Sequence, residues 1–140
     1  WKFSPEMNLA CGNFGLEAQY FYVGIKRDNG MPNYDAWGAY GNVRYLLNGQ
    51  GYTYTRADAG IATPDPGSME LVASYNYSTL TDKDANIYGG KVNDWSLTFN
   101  YYLNKYMIWR VRGSITRATE NAAFKNNTFS VLETRLQIKF

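Results

Sequence analysis

The last thirteen residues constrain this chain most. They read Thr128-Phe129-Ser130-Val131-Leu132-Glu133-Thr134-Arg135-Leu136-Gln137-Ile138-Lys139-Phe140. From Leu132 onward, Leu132, Thr134, Leu136, Ile138 and Phe140 share one face, and Glu133, Arg135, Gln137 and Lys139 share the other. A period of two belongs to a β-strand, whose side chains alternate between faces. One apolar and one ionic face demand two different surroundings. A soluble sandwich meets that demand with a core and water. A membrane barrel meets it with lipid outside and a watery lumen inside, and there the pattern is obligatory. The aromatic terminus favours the barrel over the sandwich.

The same alternation predicts seven strands: Glu6–Gly12, Phe14–Arg27, Ala36–Asn48, Ser68–Thr81, Asn93–Asn104, Met107–Thr119 and Phe129–Phe140. In the second, Leu16, Ala18, Tyr20 and Tyr22 oppose Glu17 and Gln19, although Phe21, Val23 and Ile25 blur its faces. In the third, Trp37, Ala39, Val43, Tyr45 and Leu47 oppose Asn42, Arg44 and Asn48. The fourth, fifth and sixth split in the same way. Trp37, Trp95, Trp109, Tyr75, Tyr77, Tyr101 and Phe140 lie near strand ends, where a barrel carries its interfacial aromatic girdles.

Composition agrees with strands. The chain has 13 Tyr, 13 Gly and only 4 Pro, which suits sheets and tight turns. No apolar run approaches the ~18 residues of a spanning helix, but a barrel strand needs only ~10, half of them facing lipid. Fourteen basic residues against 12 acidic ones leave a net charge of +2, which argues against a nucleic-acid stripe. The single cysteine, Cys11, cannot form an internal disulfide. Histidine is absent, so the commonest general base and metal ligand are missing. No metal-ligand cluster or phosphate-cradling glycine loop is visible, and the reading is of a protein that is not an enzyme and needs no cofactor.

Connection lengths alternate as barrel turns do, short on one side and long on the other. Gly12-Asn13 and Asn104-Lys105-Tyr106 read as tight periplasmic turns. Asp28–Asp35 with Asn29-Gly30, Asp82–Val92 with Gly89-Gly90, and Ala118–Thr128 read as external loops. Gly49–Gly67 breaks the rule. It spans 19 residues on the periplasmic side and holds Pro64 and Pro66. It is either a hairpin of its own or a long turn folded into the lumen. Seven strands leave an open edge, so the chain is a small eight-stranded barrel with one strand missed, or the C-terminal part of a larger one.

Inward-facing cations are the candidate site: Arg44, Arg110, Arg112, Arg135 and Lys139, with Lys26 near a rim. Arg110 and Arg112 lie two apart and point the same way. An arginine row attracts anions and offers a fork suited to phosphate or carboxylate. The competing reading pairs these cations with Glu17, Glu70, Asp94 and Glu133 across neighbouring strands.

Five blocks carry a family resemblance. Trp95-Ser-Leu-Thr-Phe-Asn-Tyr-Tyr-Leu-Asn104 after Gly89-Gly90, Met69-Glu-Leu-Val-Ala-Ser-Tyr-Asn-Tyr-Ser78 and Phe14-Gly-Leu-Glu-Ala-Gln-Tyr-Phe-Tyr22 resemble, in order, hairpin blocks of the phosphate-selective porins of the O and P type. Gly41–Gln50 and Phe129–Phe140 match in spacing. The terminal Phe140 resembles the C-terminal signature of outer-membrane barrels. The resemblance covers nearly the whole chain and lies in the family's C-terminal half. It implies an all-β, antiparallel transmembrane β-barrel of the outer-membrane porin type, of which residues 1–140 supply seven to eight strands of roughly 16. It further implies a homotrimer in the outer membrane of a Gram-negative bacterium, surrounded by outer-membrane lipid and passing small anionic, phosphate-like solutes by diffusion. Two other readings remain open: an eight-stranded anchor or adhesion barrel without a pore, and a soluble β-sandwich that binds through exposed Tyr.

Overall fold

The computed structural model describes residues 1–28, 30–56, 60–120 and 127–140. Ten strands follow in order: β1 Lys2–Phe3, β2 Glu6–Cys11, β3 Phe14–Ile25, β4 Tyr34–Leu46, β5 Tyr54–Thr55, β6 Gly60–Ile61, β7 Met69–Asp82, β8 Ile87–Asn104, β9 Met107–Thr119 and β10 Asn127–Ile138. There is no helix among the described residues. Eight of the strands form one antiparallel sheet, and β5 and β6 form a separate small hairpin.

The strands β1 and β2 are one ribbon interrupted at Ser4-Pro5. Lys2 pairs with Val23 and Glu6 with Gln19, so the register against β3 runs through the break without a slip. Pro5 has no N–H to give the ladder, but its carbonyl still accepts the Tyr20 N–H at 3.1 Å. The sheet is therefore seven strands wide, as the alternation predicts. Its two edges, β1–β2 and β10, do not pair with each other among the described residues. A closed eight-stranded barrel would need that pairing.

Burial is inverted relative to a soluble sheet. On one face Leu132 is 81% exposed, Trp95 61% and Leu97 57%. On the other, Glu70, Asn100, Thr98 and Ser96 are buried. Such an apolar outside and polar inside suits a wall between lipid and lumen. Cross-strand pairing arranges the outward face in rows. The row Leu16, Val43, Ala73, Leu97, Gly113, Leu132 is apolar throughout. The neighbouring rows bring in aromatics, with ring centroids 4.7 Å apart for Phe14–Tyr45, 4.2 Å for Tyr75–Trp95 and 4.8 Å for Trp37–Tyr77. Aromatic rows are thus present as expected from sequence, but Trp95 lies mid-strand and not near a strand end, because β8 begins at Ile87. The tilted ring pairs add to the cohesion of adjacent strands. Phe21 and Val23, which blurred the second strand, sit on the inward face, in register with Gly38 and Ala36.

One connection differs from expectation. Asp82–Val92 is not a long loop: β7 continues to Asp82, β8 begins at Ile87, and residues 83–86 make the turn. The Gly89-Gly90 pair marks a bulge within the ladder, where register shifts between Thr79 and Thr81. A Cβ on Gly89 would lie 2.6 Å from the Leu80 Cβ, and Gly90 has φ +98°. Glycine serves here for close backbone approach, not for a loop. The predicted Asp28–Asp35 and Ala118–Thr128 connections fall partly outside the described residues, at 29 and 121–126.

Gly49–Gly67 combines both forms anticipated for it. It contains the β5–β6 hairpin, and it also folds onto the inward face. Tyr52 N–H donates to the Gly12 carbonyl at 2.7 Å, which ties the segment to the β2–β3 turn. Gly51 permits that approach, since a Cβ there would meet Gly12 O at 2.9 Å and its φ is +93°. Gly15 leaves the space into which Tyr52 and Ile61 pack.

Candidate functional site

The inward face of β3, β4 and β7–β10 lines an open hollow of about 490 Å³. Strand alternation delivers its lining: Arg44 from β4, Arg110 and Arg112 from β9, Glu133 and Arg135 from β10, over a floor of Ser, Thr and Asn from β7 and β8. Four of the five predicted cations, Arg44, Arg110, Arg112 and Arg135, meet there. Lys139 does not. It lies beyond the end of β10, exposed, with its backbone N–H donating to the Tyr106 carbonyl at 2.8 Å. Lys26 lies beyond β3 and likewise stays out of the hollow.

The four arginines have different electrostatic surroundings. Arg44 contacts Glu17 at 2.7 Å and Glu70 at 2.8 Å. Arg112 contacts Asp94 at 3.2 Å and lies 3.9 Å from Glu133. Each faces two carboxylates, so the competing ion-pair reading holds for both. Arg110 and Arg135 form no ion pair among the described residues, although Glu133 lines the same hollow. Arg110 Nε donates to Asn100 Oδ1 at 2.7 Å, while its terminal nitrogens have no polar partner among the described residues. Arg135 makes no hydrogen bond or ion pair among the described residues.

These two unneutralised cations are direct partners across the β9–β10 ladder. Their Cβ atoms are thus roughly 4.5–5.5 Å apart, and like charges directly opposite disfavour the pair. An anion between them would reverse that sign. The guanidinium fork suits two-point recognition of an oxyanion.

Beside this pair lies a polar hub centred on Glu70, which the sequence offered as an ion-pair partner without the tyrosines and asparagine that share it. Glu70 is fully buried, at 0% exposure, yet fully satisfied. Its Oε1 accepts from Arg44 Nε and, at 2.6 Å, from Tyr52 Oη. Its Oε2 accepts from Asn100 Nδ2 at 2.6 Å and Tyr102 Oη at 2.8 Å. Asn100 carries the network on to Arg110, so one chain of bonds joins Arg44 to the free pair. Burial, and then the bond to Glu70, push the Tyr52 phenol above its ordinary range. The Arg44 guanidinium also lies 5.4 Å from the centroid of the Tyr52 ring. A buried carboxylate without partners would be costly; with four donors it anchors the 49–67 segment against the wall. Only the length and Pro content of that segment hinted at a role, and nothing in it singled out Tyr52.

No group of acidic, His or Cys side chains among the described residues could hold a metal ion. The geometry offers charge and hydrogen-bond donors along an open polar wall.

The family model for "Phosphate-selective porin O and P" matches residues 2–140. No curated protein matches the chain.

Proposed function

The chain belongs to the phosphate-selective porin O and P family and is part of a porin-type channel; we propose that its inward face selects small anions, with phosphate-like oxyanions as the best fit. The observation that carries this reading is the cross-strand juxtaposition of Arg110 and Arg135 without a carboxylate between them. In a lumen, two such fixed cations raise the local anion concentration and offer a passing oxyanion a weak, multi-donor stop. Arg44 and Arg112, already neutralised, shape and solvate the wall.

The location proposed is the outer membrane of a Gram-negative bacterium, with the outward rows against lipid and the protein a homotrimer. The two unpaired sheet edges support a larger barrel. An open edge in hydrocarbon leaves amides unsatisfied at several kcal/mol each, and this supports the proposal that these 140 residues form one wall of a larger barrel.

Planar-bilayer recordings on the native polypeptide test the selectivity. Under a salt gradient, the reversal potential of the wild type indicates anion preference, and Arg110→Gln/Arg135→Gln lowers the anion-to-cation permeability ratio several-fold. An unchanged ratio overturns the reading.

A further inference from the structure

We propose that the outward face carries a site for the phosphate of an anionic membrane-lipid headgroup, built by Arg117, Asn93 and Thr128. The proposal rests on the sheet spanning a membrane, not on anion passage through the lumen.

Arg117 is an unpaired cation on its face, whereas Lys91, one row further out, is held by Glu120. The inward arginines lie on the wet side, but Arg117 points outward with Ile115 and Trp95, by alternation along β9 and its pairing with Asn93. It is exposed and makes no hydrogen bond or ion pair among the described residues. Residues 121–126 contain no Asp or Glu to neutralise it. An outward arginine at the bilayer midplane costs roughly 2–4 kcal/mol, but near the interface it costs little. Its depth is set by its neighbours. Arg117 lies one row beyond the Tyr75–Trp95 aromatic pair and two rows beyond the wholly apolar row of Leu97 and Gly113. That is the level of the aromatic girdle, whose Tyr77 shares the row of Arg117 and where lipid headgroups begin.

Its neighbours are donors. Asn93 and Thr128 are its direct Cα partners on either side. Tyr75 Oη donates to Asn93 Oδ1 at 2.8 Å, which occupies the amide oxygen and leaves the Nδ2 hydrogens without an acceptor among the described residues. Glu120, just beyond β9, is engaged by Lys91 at 2.9 Å. Guanidinium, amide and hydroxyl therefore line one hollow of about 510 Å³, whose apolar side is Trp95 and Ile115. The donor set fits a phosphate group. The apolar side runs on into the Leu97 row and fits acyl chain. Together they select a lipid over a free anion.

The test is lipid retention by the native polypeptide, reconstituted in mixed phosphatidylcholine–phosphatidylglycerol bilayers and released in mild detergent. Native mass spectrometry counts the lipids that remain bound. The wild type is expected to enrich phosphatidylglycerol over the bulk ratio. Arg117→Gln is expected to lower that enrichment about fivefold, which one cation at an anionic surface accounts for. Arg117→Lys should recover part of it, and Tyr75→Phe, which frees the Asn93 amide to rotate, should lose part. Equal enrichment in wild type and Arg117→Gln overturns the site. Displacement of the bound lipid by inorganic phosphate overturns it in favour of a free-anion site. A changed oligomer with unchanged enrichment overturns it in favour of a subunit contact. Arg135→Gln distinguishes this proposal from the lumen reading: loss of enrichment there too would show a global effect and remove the site.

Discussion

The Tyr52 hydroxyl donates to Glu70 Oε1 at 2.6 Å, joining a residue of the long 49–67 segment to a carboxylate at the start of β7. The bond spans only 18 positions in sequence. It adds a side-chain anchor to the backbone bond from Tyr52 to Gly12 and to the packing of Tyr52 and Ile61 at Gly15.

The state of that phenol is testable by pH. Its pKa is raised in the folded protein, so the neutral form is favoured. The bond's contribution is complete below the unfolded tyrosine value of ~10 and is lost only as pH rises through the higher folded value. Absorbance titration, taken as wild type minus Tyr52→Phe, is expected to show no ionisation of this phenol at pH 11. A difference signal with a midpoint near 10 would contradict the burial and hydrogen bonding described.

Removing the acceptor should cost more than removing one donor. Glu70→Ala leaves Arg44, Tyr52, Asn100 and Tyr102 without their common partner, with Arg44 still largely buried beside Glu17. Breaking a buried pair on one side costs about 3–5 kcal/mol. Tyr52→Phe removes one bond to a charged group, worth about 1.5–3 kcal/mol. Urea unfolding in detergent micelles should rank the two variants in that order. Trypsin should cut faster after Arg56 in both.

Charge deletions in the lumen should divide by partner. Arg135→Gln removes an unneutralised cation and should shift the reversal potential toward cations. Arg44→Gln removes a cation facing two carboxylates, and its main effect should be lost stability as Glu70 loses a donor. Equal selectivity shifts in the two variants would show that local pairing does not set the field.

Face assignment has its own test. Leu97 is outward and 57% exposed, in the fully apolar row, while its neighbour Thr98 faces the hollow. Leu97→Arg near the midplane should cost roughly 2–4 kcal/mol of stability in bilayers. Thr98→Arg should cost less, because its charge meets water. Folding yields into vesicles at graded urea compare them; a reversed order would mean that the faces are exchanged.

The strands and their faces were legible in the sequence because both are local. Alternation needs only neighbouring residues, and a wall between lipid and water allows one solution for which side is apolar. Phe14–Ile25, Met107–Thr119 and the Leu132–Ile138 stripe all follow from that rule, and so does the delivery of Arg44, Arg110, Arg112 and Arg135 to one side. What the tertiary structure decided are properties of pairs. Register across β9–β10 sets Arg110 opposite Arg135 and Arg112 opposite Glu133. A shift by two residues would keep every face and exchange those partners, so no periodicity within a strand could reveal which arginine is free. The Gly89-Gly90 bulge was hidden for the same reason, since the close approach it permits is to Leu80 on the neighbouring strand. Tyr52 looked like one aromatic among thirteen tyrosines; only folding of the 49–67 segment onto the wall brings it to Glu70.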